Sequence, residues 1–288
     1  MPYYKLGDLI NYITSDFYNI SWKAKLSDLW RIIEGLKNIH SVNIIHRDFH
    51  SGNIFFDKIT KSYYDVTIGD LGLSKSATES SDDNNNENYG IIPYMAPEIF
   101  NGRKYTKESD IYSFGMIMWE FMTGRRPFWD RVHDAELIIE ICDGLRPPIV
   151  TNAPEGYVDL MKECWHSDTI KRPTAKEVRG KLYKMFDKGG STEIIESSDI
   201  GPVTKNNSGA IYKSRLLSGI IRSAMSTRSL RSQSITSEVS KYHLTVVIYL
   251  LGSFYKLFYH FKTTFYLFIK IKESLKITKL KTVLIMVC

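Results

Sequence analysis

Three oxygen-bearing side chains stand close together in this 288-residue chain: Asp48, Asn53 and Asp70. Carboxylates and an amide carbonyl are hard ligands that suit magnesium, and a carboxylate can also orient a hydroxyl and take its proton. Phosphoryl transfer needs both abilities, because its transition state is stabilised mainly by position and opposite charge. The residues around them form three runs: Ile45-His46-Arg47-Asp48-Phe49-His50-Ser51-Gly52-Asn53, then Asp70-Leu71-Gly72, then Ala96-Pro97-Glu98. Taken singly, a His-Arg-Asp tripeptide reads as loop and Asp-Leu-Gly as a turn. Their order and spacing carry the information.

In that order the runs resemble the H-R-D-x-x-x-x-N catalytic loop, the D-F-G metal motif and the A-P-E end of the activation segment of eukaryotic protein kinases. The resemblance continues through Ser109-Asp110-Ile111-Tyr112-Ser113-Phe114-Gly115 and Cys164-Trp165-His166-Ser167-Asp168 to Arg172-Pro173-Thr174, covering roughly Gly7 to Phe186. The Cys-Trp pair and the Ser-Asp-Ile-Tyr-Ser-Phe-Gly run look most like the tyrosine-kinase and tyrosine-kinase-like groups. By this resemblance Asp48 accepts the proton of a substrate hydroxyl. Asn53 and Asp70 hold magnesium against the phosphates of ATP, and the partner is a protein substrate with a Ser, Thr or Tyr hydroxyl. It further implies that Arg47 pairs with a phosphorylated activation-segment residue, that Asp110 braces the catalytic-loop backbone, and that Glu98 pairs with Arg172.

Two departures occur together. Most Ser/Thr kinases have a lysine two residues after the catalytic aspartate and a threonine after the activation-segment glycine; here those positions are His50 and Ile91. An imidazole is shorter than lysine and mostly neutral near pH 7, so His50, kept among the catalytic candidates, is expected to be a weaker phosphate clamp. Tyrosine kinases also lack that lysine, so the change bears on residue specificity more than on catalysis. Leu71 in place of Phe is mild, since that side chain packs. A larger departure is that only 47 residues precede Asp48, and they contain no Gly-rich loop, V-A-I-K lysine or helix glutamate. The expectation is a kinase C-terminal lobe beginning just after the hinge, the N-lobe missing from this sequence. The alternative is a catalytically dead kinase-like binding module or dominant-negative fragment.

The elements that must position these residues are legible as periodicity. Leu26, Leu29, Ile32, Ile33, Leu36 and Ile39 recur at helical spacing ahead of the catalytic loop. Ile54-Phe55-Phe56 and Val66-Thr67-Ile68 read as brief strands around a polar turn at Asp57 to Ser62, placing Asn53 and Asp70 on loops beside a small sheet. Ile111 to Met122 is apolar nearly all round and is expected as a buried central helix closed by Gly124. Ala135 to Cys142 and Tyr157 to Trp165 follow as helices. Thr174 with Glu177 forms a capping-box pattern opening a helix that runs to about Phe186. The predicted fold class is therefore α+β: a mainly α-helical, protein-kinase-like lobe with a small β element at the catalytic loop. Trp119, Trp165 and the Met116/Met118/Met122 cluster read as core.

Residues 1–187 form the expected kinase domain. Within it, the Ser-, Asp- and Asn-rich stretch Ser74 to Tyr89 is the activation segment by resemblance, with Ser74, Ser76, Thr78 and Tyr89 as unranked phosphate acceptors; a plain polar loop is the competing reading. Residues 188–241 are rich in serine, with the run Arg228-Ser229-Leu230-Arg231-Ser232-Gln233-Ser234, and are expected to be a disordered linker. Residues 242–288 form a hydrophobic, lysine-rich tail.

The longest uncharged run of that tail, Leu244 to Tyr255, is 12 residues, short of the roughly 20 that span a bilayer. Insertion of a span from Leu244 to Lys262 is therefore marginal, and membrane contact is weighed over 244–270. An interfacial segment on an anionic membrane and translated non-coding sequence are the other two readings. From Leu244 onward there are seven lysines and one glutamate, which accounts for the whole net charge of +6. The balanced remainder gives no hint of nucleic-acid binding. Cys142, Cys164 and Cys288 suggest no disulfide framework, so a reducing cytoplasm is the natural compartment, and nothing in the sequence fixes an oligomeric state.

Overall fold

In the computed structural model, residues 7–60, 63–77, 88–150, 153–188, 193–232, 266, 267, 269–271 and 273 are described. The apolar spacing of residues 26–36 becomes one face of a 20-residue helix, α2 (Trp22–Ser41), on which Leu26, Leu29, Ile32, Ile33 and Leu36 are all inaccessible to solvent. A shorter helix, α1 (Leu9–Ser15), precedes it, with the Asp8 side chain accepting the Asn11 N–H at its start. The chain then runs through β1 (Ile44–Ile45) into the catalytic-loop residues and the antiparallel hairpin β2 (Ile54–Thr60) and β3 (Tyr63–Ile68). The hairpin strands extend to Thr60 and from Tyr63, so the polar stretch expected as a turn from Asp57 to Ser62 is mostly strand; residues 61 and 62 lie outside the described set. Two further strands, β4 (Lys75–Ser76), which pairs with β1, and β5 (Tyr89–Gly90), flank the middle of the chain.

Next come α3 (Pro97–Phe100) and α4 (Lys107–Thr123). Every residue of α4 from Ser109 to Thr123 is buried, which is why its sequence is apolar nearly all round. At its start the Thr106 N–H donates to Ser109 Oγ at 3.1 Å, and Gly124 closes it at φ 72°, a left-handed conformation where a Cβ would also meet the Phe17 ring at 2.7 Å. The remaining helices are α5 (Ala135–Cys142), α6 (Tyr157–Cys164) and α7 (Ala175–Asp187). At the start of α7, Thr174 and Glu177 satisfy each other's backbone donors. The chain is thus mainly helical with a few short strands. Trp119, Trp165 and Met116, Met118 and Met122 lie in the core, and Cys142 and Cys164 are not disulfide-bonded.

The serine-rich stretch is where sequence and structure part. Composition predicts disorder from residue 188, yet the first compact unit runs to Thr227 and includes residues 193–227. Ile200, Leu217, Ile221 and Ala224 are buried, a last strand, β6 (Arg215–Leu216), pairs with β5, and residues 218–227 are helical. Much of the rest is fixed by backbone bonds. Arg125 donates to the carbonyls of Ser198, Ile200 and Gly201, and the Gly201 N–H donates to Thr123 at 2.7 Å. Gly201 sits at φ 89° under the Tyr18 hydroxyl, where a Cβ would come within 2.2 Å. Four anchoring apolar residues and a run of carbonyl acceptors leave no periodicity for a sequence reader to find.

The second unit, residues 228–288, is helical at 228–232 and at the described residues 266–273. Among the described residues no helix is long and apolar enough to cross a membrane; residues 244–265, most of the segment weighed for membrane contact, lie outside that set, as do Gln233 and Ser234.

One core residue breaks the apolar pattern. Lys25, on α2, is fully buried with its Nζ 3.7 Å from the Phe17 ring centroid and no hydrogen-bond partner. Burial lowers its pKa from 10.5 to about 7, the ring face opposing that shift by attracting the ammonium. Below pH 7 the lysine is charged both folded and unfolded and the whole burial cost is present. Between 7 and 10.5 only the unfolded chain holds the proton, so stability rises with pH. Lys25→Met is expected to stabilise the chain by about 3 kcal/mol at pH 6, with the gain shrinking toward pH 10. Denaturation midpoints of both proteins across that range test this, and a gain that does not change with pH would contradict it.

Candidate active site

The catalytic-loop backbone is held by one buried carboxylate. Asp110, near the start of α4, accepts the His46 N–H at Oδ2 (2.8 Å) and the Arg47 N–H at Oδ1 (3.0 Å). His40 Nε2 lies 2.9 Å from Oδ2 as a third partner. These bonds hold Arg47 at φ 72°, a conformation that a non-glycine residue keeps only when its surroundings impose it. The turn through Arg47 presents the next residue, Asp48, toward the cleft.

Asp48 is buried, and its partner is His50. The Gly52 N–H donates to His50 Nδ1 at 3.0 Å, which places the imidazole proton on Nε2, and that nitrogen lies 3.6 Å from Asp48 Oδ2. Burial pushes the Asp48 carboxyl up, but His50, Ser214 and His46 together outweigh it, His50 foremost, and the carboxyl stays below its usual range. Asp48 is therefore ionised at neutral pH. His50 itself is buried against the Tyr94 ring, centroids 5.8 Å apart, with both ring nitrogens directed within the loop. The expected phosphate clamp is thus turned instead onto the carboxylate beside it. Spacing could not disclose this, because the Gly52 N–H that turns the ring is a backbone group.

Asn53 and Asp70 are brought together by the hairpin. Ile54 pairs with Ile68 at its base, and the Gly69 N–H donates to the Asn53 carbonyl at 2.8 Å, so Asp70 follows one residue after that contact. The Asn53 amide nitrogen donates to the Asp48 carbonyl at 2.9 Å, leaving Oδ1 as its free ligand atom. Asp70 is exposed in a left-handed conformation at φ 56°. Among the described residues no cluster of three His, Cys, Asp or Glu side chains could hold a metal alone. Two oxygens from two loops fit magnesium, which keeps several waters and takes its other ligands from phosphates.

Beneath the loop, Ser51 and Tyr94 both donate to Glu120 Oε1. Burial raises the Glu120 pKa to about 7, although Tyr94 and Ser51 stabilise its charge. Sequence reading missed this trio, whose members stand far apart in the chain.

The other candidates are dispersed. The Arg47 guanidinium lies over the Tyr105 ring at 4.6 Å. Ser74 donates to the His46 carbonyl at 3.3 Å, Ser76 belongs to β4, and Tyr89 belongs to β5, while Thr78 lies outside the described residues. Ile91 is buried. Glu98 and Arg172 form a two-pronged pair, 2.6 and 2.8 Å, away from Asp48 and closed to solvent.

His50→Asn keeps an acceptor for the Gly52 N–H but leaves nothing beside Asp48. Its expected effect is a kcat roughly tenfold lower and an acid limb of the kcat/KM profile displaced to higher pH, because Asp48 loses the neighbour that lowers its pKa. A fall in rate without that displacement would make His50 merely structural.

A His-Arg-Asp loop braced by Asp110 thus stands with Asn53 and Asp70 carried at the base of one hairpin. A family model for protein tyrosine and serine/threonine kinases matches residues 1–182, and the chain belongs to that family. It is 34% identical over 223 residues to "Putative serine/threonine-protein kinase/receptor R831" of Acanthamoeba polyphaga mimivirus, covering 74% of this chain and 13% of that protein. It is 31% identical over 208 residues to "Probable serine/threonine-protein kinase roco5" of Dictyostelium discoideum, covering 69% of this chain and 7% of that one. "Cyclic GMP-binding protein C" of the same organism is 33% identical over 201 residues, 65% of this chain and 7% of its own length. The chain therefore spans a small fraction of the relatives it matches.

Proposed function

We propose that this chain carries the acceptor-activating and metal-binding part of a protein kinase that transfers the terminal phosphate of ATP to a serine or threonine hydroxyl of a protein. The observation that supports it most is Asp48: a buried carboxylate, ionised through His50, on a loop fixed by Asp110. Asp48 orients the acceptor hydroxyl and takes up its proton as the new bond forms. Asn53 Oδ1 and the Asp70 carboxylate hold magnesium. Magnesium ATP supplies the electrophilic phosphorus and the charge neutralisation that the site itself lacks. The names of the relatives favour serine and threonine over tyrosine.

The Gly-rich loop and lysine that cover the phosphates in kinases are not in this sequence. The proposed activity is that of a polypeptide carrying both of those elements together with these residues. Asp48→Asn in that polypeptide is the test: loss of transfer with the fold intact supports the reading, and retained transfer removes Asp48 from its role.

A further inference from the structure

The stretch from Gly209 to Ser218 is pinned at both ends. On one side, Gly209 accepts the His133 N–H at 2.9 Å, the Ile211 N–H donates to His133 Nδ1 at 3.0 Å, and the Tyr212 hydroxyl donates to Pro127 at 2.8 Å with its ring edge-on to His133. On the other, the Leu217 N–H donates to the Asn88 carbonyl at 2.7 Å and the Asn88 N–H donates to Ser218 Oγ at 3.0 Å. Between them β6 is antiparallel to β5, Tyr89 opposite Leu216 and Gly90 opposite Arg215. Ser214 comes one residue before this paired stretch, and a Cβ on Gly90, the residue opposite Arg215, would lie 3.7 Å from Asp48 Oδ1.

Ser214 Oγ is shut off from solvent and completes no well-formed hydrogen bond. An unsatisfied buried hydroxyl is costly and needs a reason. The Ser214 hydroxyl lies beside the Asp48 carboxylate. A hydroxyl approaching a carboxylate without a finished bond is the arrangement expected of a catalytic pair before the reacting complex tightens it. Peptides added to a sheet edge are held by main-chain bonds and selected by side-chain pockets, and here Leu217 fills such a pocket completely.

We propose that residues 209–218 are an intramolecular protein substrate of this site, with Ser214 as the phosphate acceptor. The proposal rests on the kinase reading above. In the transfer, Ser214 Oγ bonds to the terminal phosphorus of magnesium ATP, the bond from that phosphorus to its bridging oxygen breaks, ADP leaves, and the Ser214 proton passes to Asp48. Phosphoserine 214 then carries negative charge beside the Asp48 carboxylate, so the product is repelled and the segment releases, opening the site to other substrates.

Two measurements test this. In the nucleotide-free protein, hydrogen exchange should find the Leu217 and Asn88 amides protected at least tenfold over an unstructured chain. Unprotected amides there would overturn the docking whatever the activity. In the complete polypeptide with magnesium ATP and an added serine peptide, mass spectrometry should find phosphate on Ser214 at a rate independent of protein concentration, and none at that position in Ser214→Ala. If the peptide is phosphorylated and Ser214 is not, the segment is an inhibitor in the substrate's place and this proposal fails while the kinase reading stands. If neither is phosphorylated, both fail.

Discussion

Asp48→Asn is expected to lower kcat for phosphate transfer by a factor of about 10³, within the span of 10² to 10⁴ that a positioned base contributes. The asparagine is nearly the same size, so the loop should keep its shape. Asp110 still accepts the His46 and Arg47 N–H groups, and the Asp48 carbonyl still accepts from Asn53. What disappears is the charge that receives the proton. Because that interaction strengthens only as the hydroxyl ionises, kcat and kcat/KM should fall together while KM for ATP stays near its starting value. Circular dichroism and melting curves on the same preparations separate this from unfolding. A fall of less than tenfold would mean that another group takes the proton.

The largest stability effect is expected at the Glu98–Arg172 pair. The Arg172 side chain is 0% exposed; besides Glu98 it donates to the carbonyls of His166 and Glu108, and it lies over the Tyr112 ring. It ties the start of α3 to the segment before α7. Glu98→Ala leaves a guanidinium in the core without its counter-charge, at a cost of about 3–5 kcal/mol. The cost belongs to the stranded charge rather than to the pair, so adding Arg172→Met should return about half of it, a non-additivity that a double-mutant cycle reads directly. Urea unfolding at pH 7 is the measurement. Equal stability of Glu98→Ala and the original chain would show the pair to be dispensable.

How much of this was legible in the sequence differs by element. The α2 face, the all-round burial of α4, its glycine end and the Thr174–Glu177 cap were readable because each is written in side chains at fixed spacing. The nearness of Asn53 to Asp70 followed from two short strands that had to pair. The direction in which His50 points was not readable, since a backbone N–H decides it. The ordered course of residues 193–227 was hidden for a related reason. Serine-rich composition predicts disorder when a segment must build its own core, and this one borrows a core and donates or accepts main-chain bonds. Within it, the apolar pairs Ile211-Tyr212 and Leu216-Leu217 on either side of Ser214 were the available signal.

The most direct measurement is transfer of labelled terminal phosphate from ATP to protein side chains by the complete polypeptide, with and without magnesium, followed by identification of the labelled residue. Magnesium-dependent phosphoserine or phosphothreonine, absent in Asp48→Asn, is the expected result. Undiminished labelling after magnesium is chelated, or no labelling at all from a folded protein, would contradict the kinase reading.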